Sequence, residues 1–142
     1  MKKILIALLV VCLSVVCLAS CASMDSYIEN LGDDYEFDIL DRDEIEYLAK
    51  IYGIDEDDYY FVEVVEAYYE GDEDESDDDR FAYIFEFEDD AEAERFLNEV
   101  KASEMFEYIV EIYEDDFKVE AVADENYVLV GAASVINVAL GN

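Results

Sequence analysis

An alternation of aromatic side chains over residues 81–88 constrains the fold of this chain more tightly than any other feature. Every second residue there is aromatic: Phe81, Tyr83, Phe85 and Phe87. Successive side chains of a β-strand point to opposite faces, so this spacing predicts a strand with one aromatic face turned inward. The rest of the chain must therefore supply further strands and a helical layer that cover this face.

A second strand is predicted directly before the first one. Residues 59–69 are almost entirely β-branched and aromatic, a composition that favours β structure. Between the two strands lie residues 70–79, the acidic segment, in which eight of ten residues are Asp or Glu. A run of like charges that dense stays in solvent, so we expect the two strands to pair as a hairpin across it.

Two helices are predicted from Asp-x-x-Glu patterns that begin at Asp41 and Asp89. In such a capping box, two side chains satisfy backbone N–H groups that the first turn of a helix leaves unpaired. Apolar residues follow each box at helical spacing, which predicts helices at 42–52 and from 90 to about 113. Residues 106–112 also alternate in polarity, so a strand at that position is an alternative.

The last part of the chain favours a second hairpin and a closing helix. Residues 117–123 alternate in polarity, 124–126 form a tight turn, and 127–130 return as the partner strand. A short helix is predicted at 134–140. The resulting order, α-β-β-α-β-β-(α), predicts an α+β domain with an antiparallel sheet of about four strands and helices on one face.

Residues 21–38 connect this domain to the start of the chain. They are polar and weakly patterned, so we interpret them as the N-terminus of the mature protein and a tether. A single α+β domain then extends over residues 39–142. As an alternative, Tyr35 and Phe37 begin a short edge strand.

Residues 1–20 have the organisation of a secretion signal. Two lysines follow Met1, and residues 4–18 form an apolar run in which Ser14 is the one polar residue. That run is shorter than the roughly 20 residues with which a helix crosses a bilayer. It has the length expected of the apolar core of a signal peptide.

The apolar run ends in Leu18-Ala19-Ser20-Cys21. With the run before it, this tetrapeptide resembles the lipobox of bacterial lipoproteins. The resemblance implies that Cys21 receives a diacylglyceryl group, that cleavage occurs before it, and that fatty acyl chains such as palmitate hold the protein on the extracytoplasmic face of the cell membrane. An ordinary signal peptide or a short membrane anchor is the alternative. A glutamate-rich helix followed by Tyr127-Val128-Leu129-Val130-Gly131 is similar in layout to small lipoproteins of Gram-positive bacteria, which implies no particular activity.

Charge restricts the partners that the chain can bind. The sequence has 40 acidic and 8 basic residues and a net formal charge of −32. Such a field repels nucleic acid and anionic lipid head groups and attracts cations and basic proteins. An alternative is that the composition keeps the protein soluble in strong salt, without any ligand.

Catalytic residue types are scarce. The sequence has no His, which removes the commonest general base and metal ligand. Of the three cysteines, Cys12 and Cys17 leave with the signal, so Cys21 has no partner for an internal disulfide. We therefore expect a protein that is not an enzyme and needs no cofactor.

Two acidic windows were compared with the calcium loop of EF-hands. One contains Asp55, Asp57 and Glu66, but Tyr60 stands where the loop needs glycine. The acidic segment fits no better, although it remains able to attract divalent cations. Its candidate metal ligands are Asp72, Asp74, Asp77, Asp78 and Asp79.

Four tyrosines at the ends of the first predicted strand are candidates for an exposed binding surface. A strand covered by one helical layer cannot bury both faces, and exposed tyrosine beside acids suits a basic protein. Packing at the edge of the core is the alternative for these residues: Tyr59, Tyr60, Tyr68 and Tyr69. We expect a non-enzymatic binding module with a basic partner, and the alternative is a divalent-cation-binding surface protein acting through residues 70–79.

Overall fold

The computed structural model describes residues 22–69 and 80–142. The predicted lipidation site, Cys21, and the candidate metal ligands of the acidic segment therefore lie outside the described residues. The helices and strands follow in the order α1 (Met24–Leu31), β1 (Glu36–Ile39), α2 (Arg42–Ile51), β2 (Phe61–Tyr69), β3 (Arg80–Phe87), α3 (Asp90–Ala102), α4 (Glu104–Tyr113), β4 (Val119–Asp124), β5 (Tyr127–Ala132) and α5 (Ala133–Ala139).

The strands form one antiparallel sheet in the order β1-β2-β3-β5-β4, which confirms the predicted α+β class. The sheet has five strands where about four were predicted. The hairpin of β2 and β3 is confirmed: Tyr69 lies opposite Arg80 and Phe61 opposite Phe87, with a register shift between Phe61 and Glu63. The second hairpin, β4 with β5, is also confirmed.

The aromatic residues of β3 face the larger of two cores, as their alternation predicts. The ring of Phe96, on α3, lies 4.9 Å from that of Phe85 and 5.1 Å from that of Phe87. All three side chains are at least 99% buried. Residues of α2, α3 and α4 complete this core and cover what we call the first face of the sheet.

The prediction that helices cover only one face is wrong. A second core lies on the opposite face, where α1 and α5 pack against β2, β3 and β5. The physical reason is that the residues between the aromatic positions are also apolar, so both sides of the central strands need cover. The buried strand residues of this second face are Val65, Ala67, Ala82, Ile84, Tyr127 and Leu129.

The segment at residues 21–38 is not a tether where the structure describes it. Helix α1 starts from a capping box of Ser23 and Ser26, and it buries Met24, Tyr27 and Leu31 in the second core. These three residues have helical spacing over only eight residues, too short a pattern to be distinguished in the sequence. The alternative proposed for this segment is confirmed, because β1 forms an edge strand of the sheet.

The predicted helix from 90 to about 113 is two helices. Ser103 has an extended backbone (φ −75°, ψ 130°) that ends α3, and its Oγ accepts from the N–H groups of Met105 and Phe106 to start α4. A strand over 106–112 is therefore wrong. After this break, Phe106 of α4 packs into the larger core, 6.4 Å from the ring of Tyr52.

Gly131 is required by a close approach between two strands. Its φ is 152°, and a Cβ at this position would lie 2.3 Å from the carbonyl oxygen of Phe81. A side chain there would push β5 away from β3, so only glycine fits this position.

Candidate functional site

The helical cover of the first face is incomplete. Where β1 pairs with β2, the same face carries polar residues, because Glu36 lies opposite Tyr68 and Asp38 opposite Glu66. Directly opposed residues of antiparallel strands share a face of the sheet. Glu36, Asp38, Glu66 and Tyr68 therefore form the floor of a depression that we call the acidic groove.

Helix α2 forms one wall of the acidic groove. Asp43 and Tyr47 line a cavity of about 380 Å³ between this helix and the sheet, together with Glu66 and Tyr83. The helix is held at that point by its capping box: Asp41 accepts from the N–H of Glu44 at 3.0 Å, and Glu44 accepts from the N–H of Asp41 at 2.7 Å. Both capping residues also line the cavity, so the start of α2 adds negative charge.

A neighbouring cavity extends the acidic groove toward α4. Its lining includes Tyr113 of α4 and Phe81 of β3, and it shares Glu66 and Tyr83 with the cavity beside α2. Glu66 lines all three depressions, and we use the name acidic groove for the three together.

Tyr83 fixes the position of the central carboxylate. Its hydroxyl donates to Oε1 of Glu66 at 3.0 Å, and its ring has an edge contact with Tyr52. Burial raises the pKa of the Tyr83 phenol above its ordinary value, and the adjacent Glu66 carboxylate raises it further. The phenol therefore keeps its proton and holds Glu66 in one orientation, with its second carboxylate oxygen available to a ligand.

The electrostatics of the acidic groove are one-sided. Among the described residues, none that lines the three depressions is Lys or Arg. Carboxylates beside half-buried phenol rings suit an ammonium or guanidinium group, which can form charge-assisted hydrogen bonds with the first and cation–π contacts with the second. The groove is thus suited chemically to binding a cation carried on a flexible side chain.

The calcium window at Asp55, Asp57 and Glu66 is not a loop. Asp55 instead caps a short 3₁₀ turn, where its carboxylate accepts from the N–H of Asp57 at 3.2 Å. Glu66 lies within β2, in the acidic groove. In residues 22–69 and 80–142, no group of three or more acidic, cysteine or histidine side chains is arranged to hold a metal ion.

The four candidate tyrosines have different environments. Tyr60 is exposed, as proposed, whereas Tyr59 is buried. The ring of Tyr59 packs 5.1 Å from that of Phe96, and the guanidinium of Arg95 lies over the ring of Tyr59, 4.3 Å from its centre. Tyr68 and Tyr69 are half-buried, and only Tyr68 lines the acidic groove.

Sequence reasoning did not find the acidic groove. The signal that could have indicated it is Glu66, a charged residue on the same strand face as the fully buried Val64. A carboxylate at a position where strand periodicity demands an apolar residue marks a place where the cover of the sheet ends. The other floor residues depend on β1, which was predicted only as an alternative.

Comparison of the chain with protein-family models, curated proteins and solved structures gives no match. No helix within the described part of the chain is long and apolar enough to cross a membrane. The function of the site therefore has to be argued from its own geometry.

Proposed function

We propose that this protein is a lipid-anchored, non-enzymatic binding module on the extracytoplasmic face of the cell membrane. Its acidic groove binds a basic segment of another protein, and acylated Cys21 holds the module on the bilayer. The leader and lipobox support the location, and the charge of the groove supports the ligand class. Two acyl chains at about 0.8 kcal/mol per buried methylene are enough for stable anchoring.

The observation that carries the ligand class is the pair of acids at the centre of the groove floor. Asp38 and Glu66 lie directly opposite each other on adjacent strands, with Glu36 on the same face. Like charges opposed across a strand pair destabilise a sheet. Lysine or arginine side chains placed between these carboxylates relieve that repulsion, so the unliganded groove favours a cationic ligand.

The start of the described chain lies beside the turn between β4 and β5. Ala22 directly follows Cys21, and its N–H donates to Oε2 of Glu125, in the turn between β4 and β5, at 3.2 Å. An acyl group on Cys21 would hold this turn beside the bilayer. Tyr83 of the groove lies three residues along β3 from Glu86, the partner of Tyr127 at this turn, and three residues correspond to about 10 Å along the strand.

The ligand class is tested by titrating a lysine-rich peptide into the full chain, purified in a neutral detergent, by isothermal calorimetry. We expect saturable binding that weakens with salt, because the contacts are ionic. Glu66→Gln removes the central charge but keeps an acceptor for Tyr83, and we expect it to weaken binding several-fold. The matched control is Glu107→Gln on the exposed side of α4. Equal affinities for the two variants would mean that binding depends on the overall charge of the protein and not on the groove.

The same instrument tests the alternative function. Saturable heat with calcium chloride, lost when Asp72, Asp74, Asp77, Asp78 and Asp79 are changed to Asn, would favour the divalent-cation protein that acts through the acidic segment. We expect only a weak, non-saturating signal for calcium.

Anchoring is tested by metabolic labelling of cells with an alkyne analogue of palmitate. The wild-type protein should carry the label, and Cys21→Ser should not. Absence of label from the wild type would contradict the proposed location.

A further inference from the structure

Strand β1 is an edge of the described sheet, and its main chain can accept one more strand. In that sheet it pairs on one side only, with β2. The N–H of Leu40 donates to the carbonyl of Val64 at 2.9 Å. This bond identifies which residues of β1 direct their main-chain groups toward β2. Because antiparallel pairing alternates along a strand, Glu36 and Asp38 also turn their main-chain groups toward β2. Phe37 and Ile39 consequently direct their N–H and C=O groups outward.

The two faces beside this edge differ in chemistry. On the first face, Glu36 and Asp38 are exposed carboxylates at the rim of the acidic groove. On the second face, Phe37 lines a shallow depression with Ile28 and Tyr35. Ile39, on the same face as Phe37, is 65% exposed. The edge thus has negative charge on one side and apolar surface on the other.

We propose that the basic segment binds as an extra β-strand along β1, with basic and apolar residues in alternation. This inference rests on the proposed function and specifies its mode of recognition. Side chains of an added strand point alternately to the two faces. Every second residue, Lys or Arg, enters the acidic groove beside Glu36, Asp38 and Glu66, and the intervening apolar residues cover Phe37 and Ile39.

The acids of β1 also exclude the commonest competitor, a second copy of the chain. Pairing β1 with another β1 would bring Glu36 and Asp38 of the two copies together on one face, which like-charge repulsion disfavours. Charged residues on exposed edges commonly prevent such self-association. Here the same charges distinguish a basic strand, which gains ion pairs, from an acidic one.

The test uses four synthetic peptides and the full chain in neutral detergent. The parent peptide alternates Lys and Val. A scrambled peptide of the same composition has its lysines in one block. Two further peptides carry N-methyl groups, either on every Val amide or on every Lys amide. An added strand turns the amides of only one of these sets toward β1, so methylation of that set removes its hydrogen bonds, and methylation of the other set leaves them.

We expect one methylated peptide to bind at least about tenfold more weakly than the parent and the other to bind within about twofold, since several hydrogen bonds are lost together. The scrambled peptide should also bind more weakly. On the protein, the double variant Glu36→Gln, Asp38→Asn should weaken binding of the parent, whereas Glu107→Gln, Glu111→Gln on α4 should not.

Two contrary results are distinguishable. If the parent peptide binds and both methylated peptides bind as tightly as it does, strand addition is wrong. The proposed function would still be supported by that result. Absence of binding by every peptide would overturn the proposed ligand class and this inference with it.

Discussion

The two ends of the first face are built from the same pair of strands, yet they have opposite character. At one end Phe61, Phe85 and Phe87 lie under α3, and Phe96 fills the space between them at ring distances of 4.9 to 5.6 Å. At the other end Glu66 and Tyr83 continue the same strands, and cavities lie between them and the residues of α2 and α4. A single strand pair can therefore contribute both to a packed core and to an open acidic surface, depending on where its helical cover ends.

The largest expected effect is at the covered end. Phe96→Ala removes a completely buried ring that contacts several others, and we expect it to lower the free energy of unfolding by about 3–5 kcal/mol. Urea denaturation measures this loss. If the variant does not fold, Phe96→Leu should show a smaller loss of the same sign. A loss below about 1 kcal/mol for Phe96→Ala would mean that this end is not the packed region described.

The second largest change in unfolding free energy is expected at alkaline pH, which should destabilise the fold. Burial raises the pKa of Tyr127 from 10.0 to about 12, and the neighbouring Glu86 adds to the shift. Because the pKa is higher in the folded state, the stabilisation is fully present below pH 10 and is lost as pH rises toward 12, at roughly 1.4 kcal/mol per pH unit. Urea midpoints measured from pH 9 to 12 follow this loss.

Tyr127→Phe should reduce that slope, because it removes the phenol whose ionisation is coupled to unfolding. An unchanged slope in this variant would assign the alkaline loss to other tyrosines, such as Tyr83 at the open end, whose pKa is also raised by burial.

A smaller effect is expected at the open end. Tyr83→Phe removes the hydrogen bond to Glu66, and we expect a loss of about 0.5–1.5 kcal/mol in unfolding free energy. Peptide binding should weaken as well, because the carboxylate loses its fixed orientation. Tyr60→Phe, at an exposed site, is the matched control and should change neither quantity. A stability loss without any change in binding would restrict Tyr83 to a structural role.

The smallest expected effect is a gain in stability at the open end, opposite in sign to the loss expected at the covered end. Asp38→Asn removes one of two opposed carboxylates, so we expect it to increase stability by a few tenths of a kcal/mol while it weakens peptide binding. Added salt should act in the same direction on the wild type, raising the melting temperature and lowering peptide affinity. A melting temperature independent of salt would contradict the repulsion on which this expectation depends.

The covered end could be predicted from the sequence and the open end could not. The alternation of β3, the capping box of α2 and the Asp89 N-cap of α3 are local patterns, and each specifies its element directly. The capping box predicted at Asp89 is only half formed, because the Glu92 carboxylate accepts from the N–H of Tyr60 and not from that of Asp89. The acidic groove depends on the register of β1 with β2, which a four-residue strand does not indicate by itself. Helix α1 was not predicted because its apolar spacing extends over only two turns. Its packing against α5 depends on the tertiary fold and has no local signal.

The second core was missed because of how the polarity of β3 was interpreted. The prediction turns only the aromatic face of β3 inward, although Ala82 and Ile84, between the aromatic residues, are also apolar. In the fold both residues are completely buried, and the polar residues come only where the strand approaches its end. A strand that is central in its sheet buries both faces, and its position in the sheet is not encoded within the strand itself.

The central claim is that a basic segment binds at the acidic groove and not at the acidic surface in general. It is tested most directly by mapping amide chemical-shift changes in the isotopically labelled full chain as the alternating Lys-Val peptide is added. We expect changes concentrated at Glu36–Ile39, Glu66 and Tyr83, with little change in the exposed acids of α4. Changes spread evenly over the acidic residues of all elements, or concentrated away from β1, would contradict it.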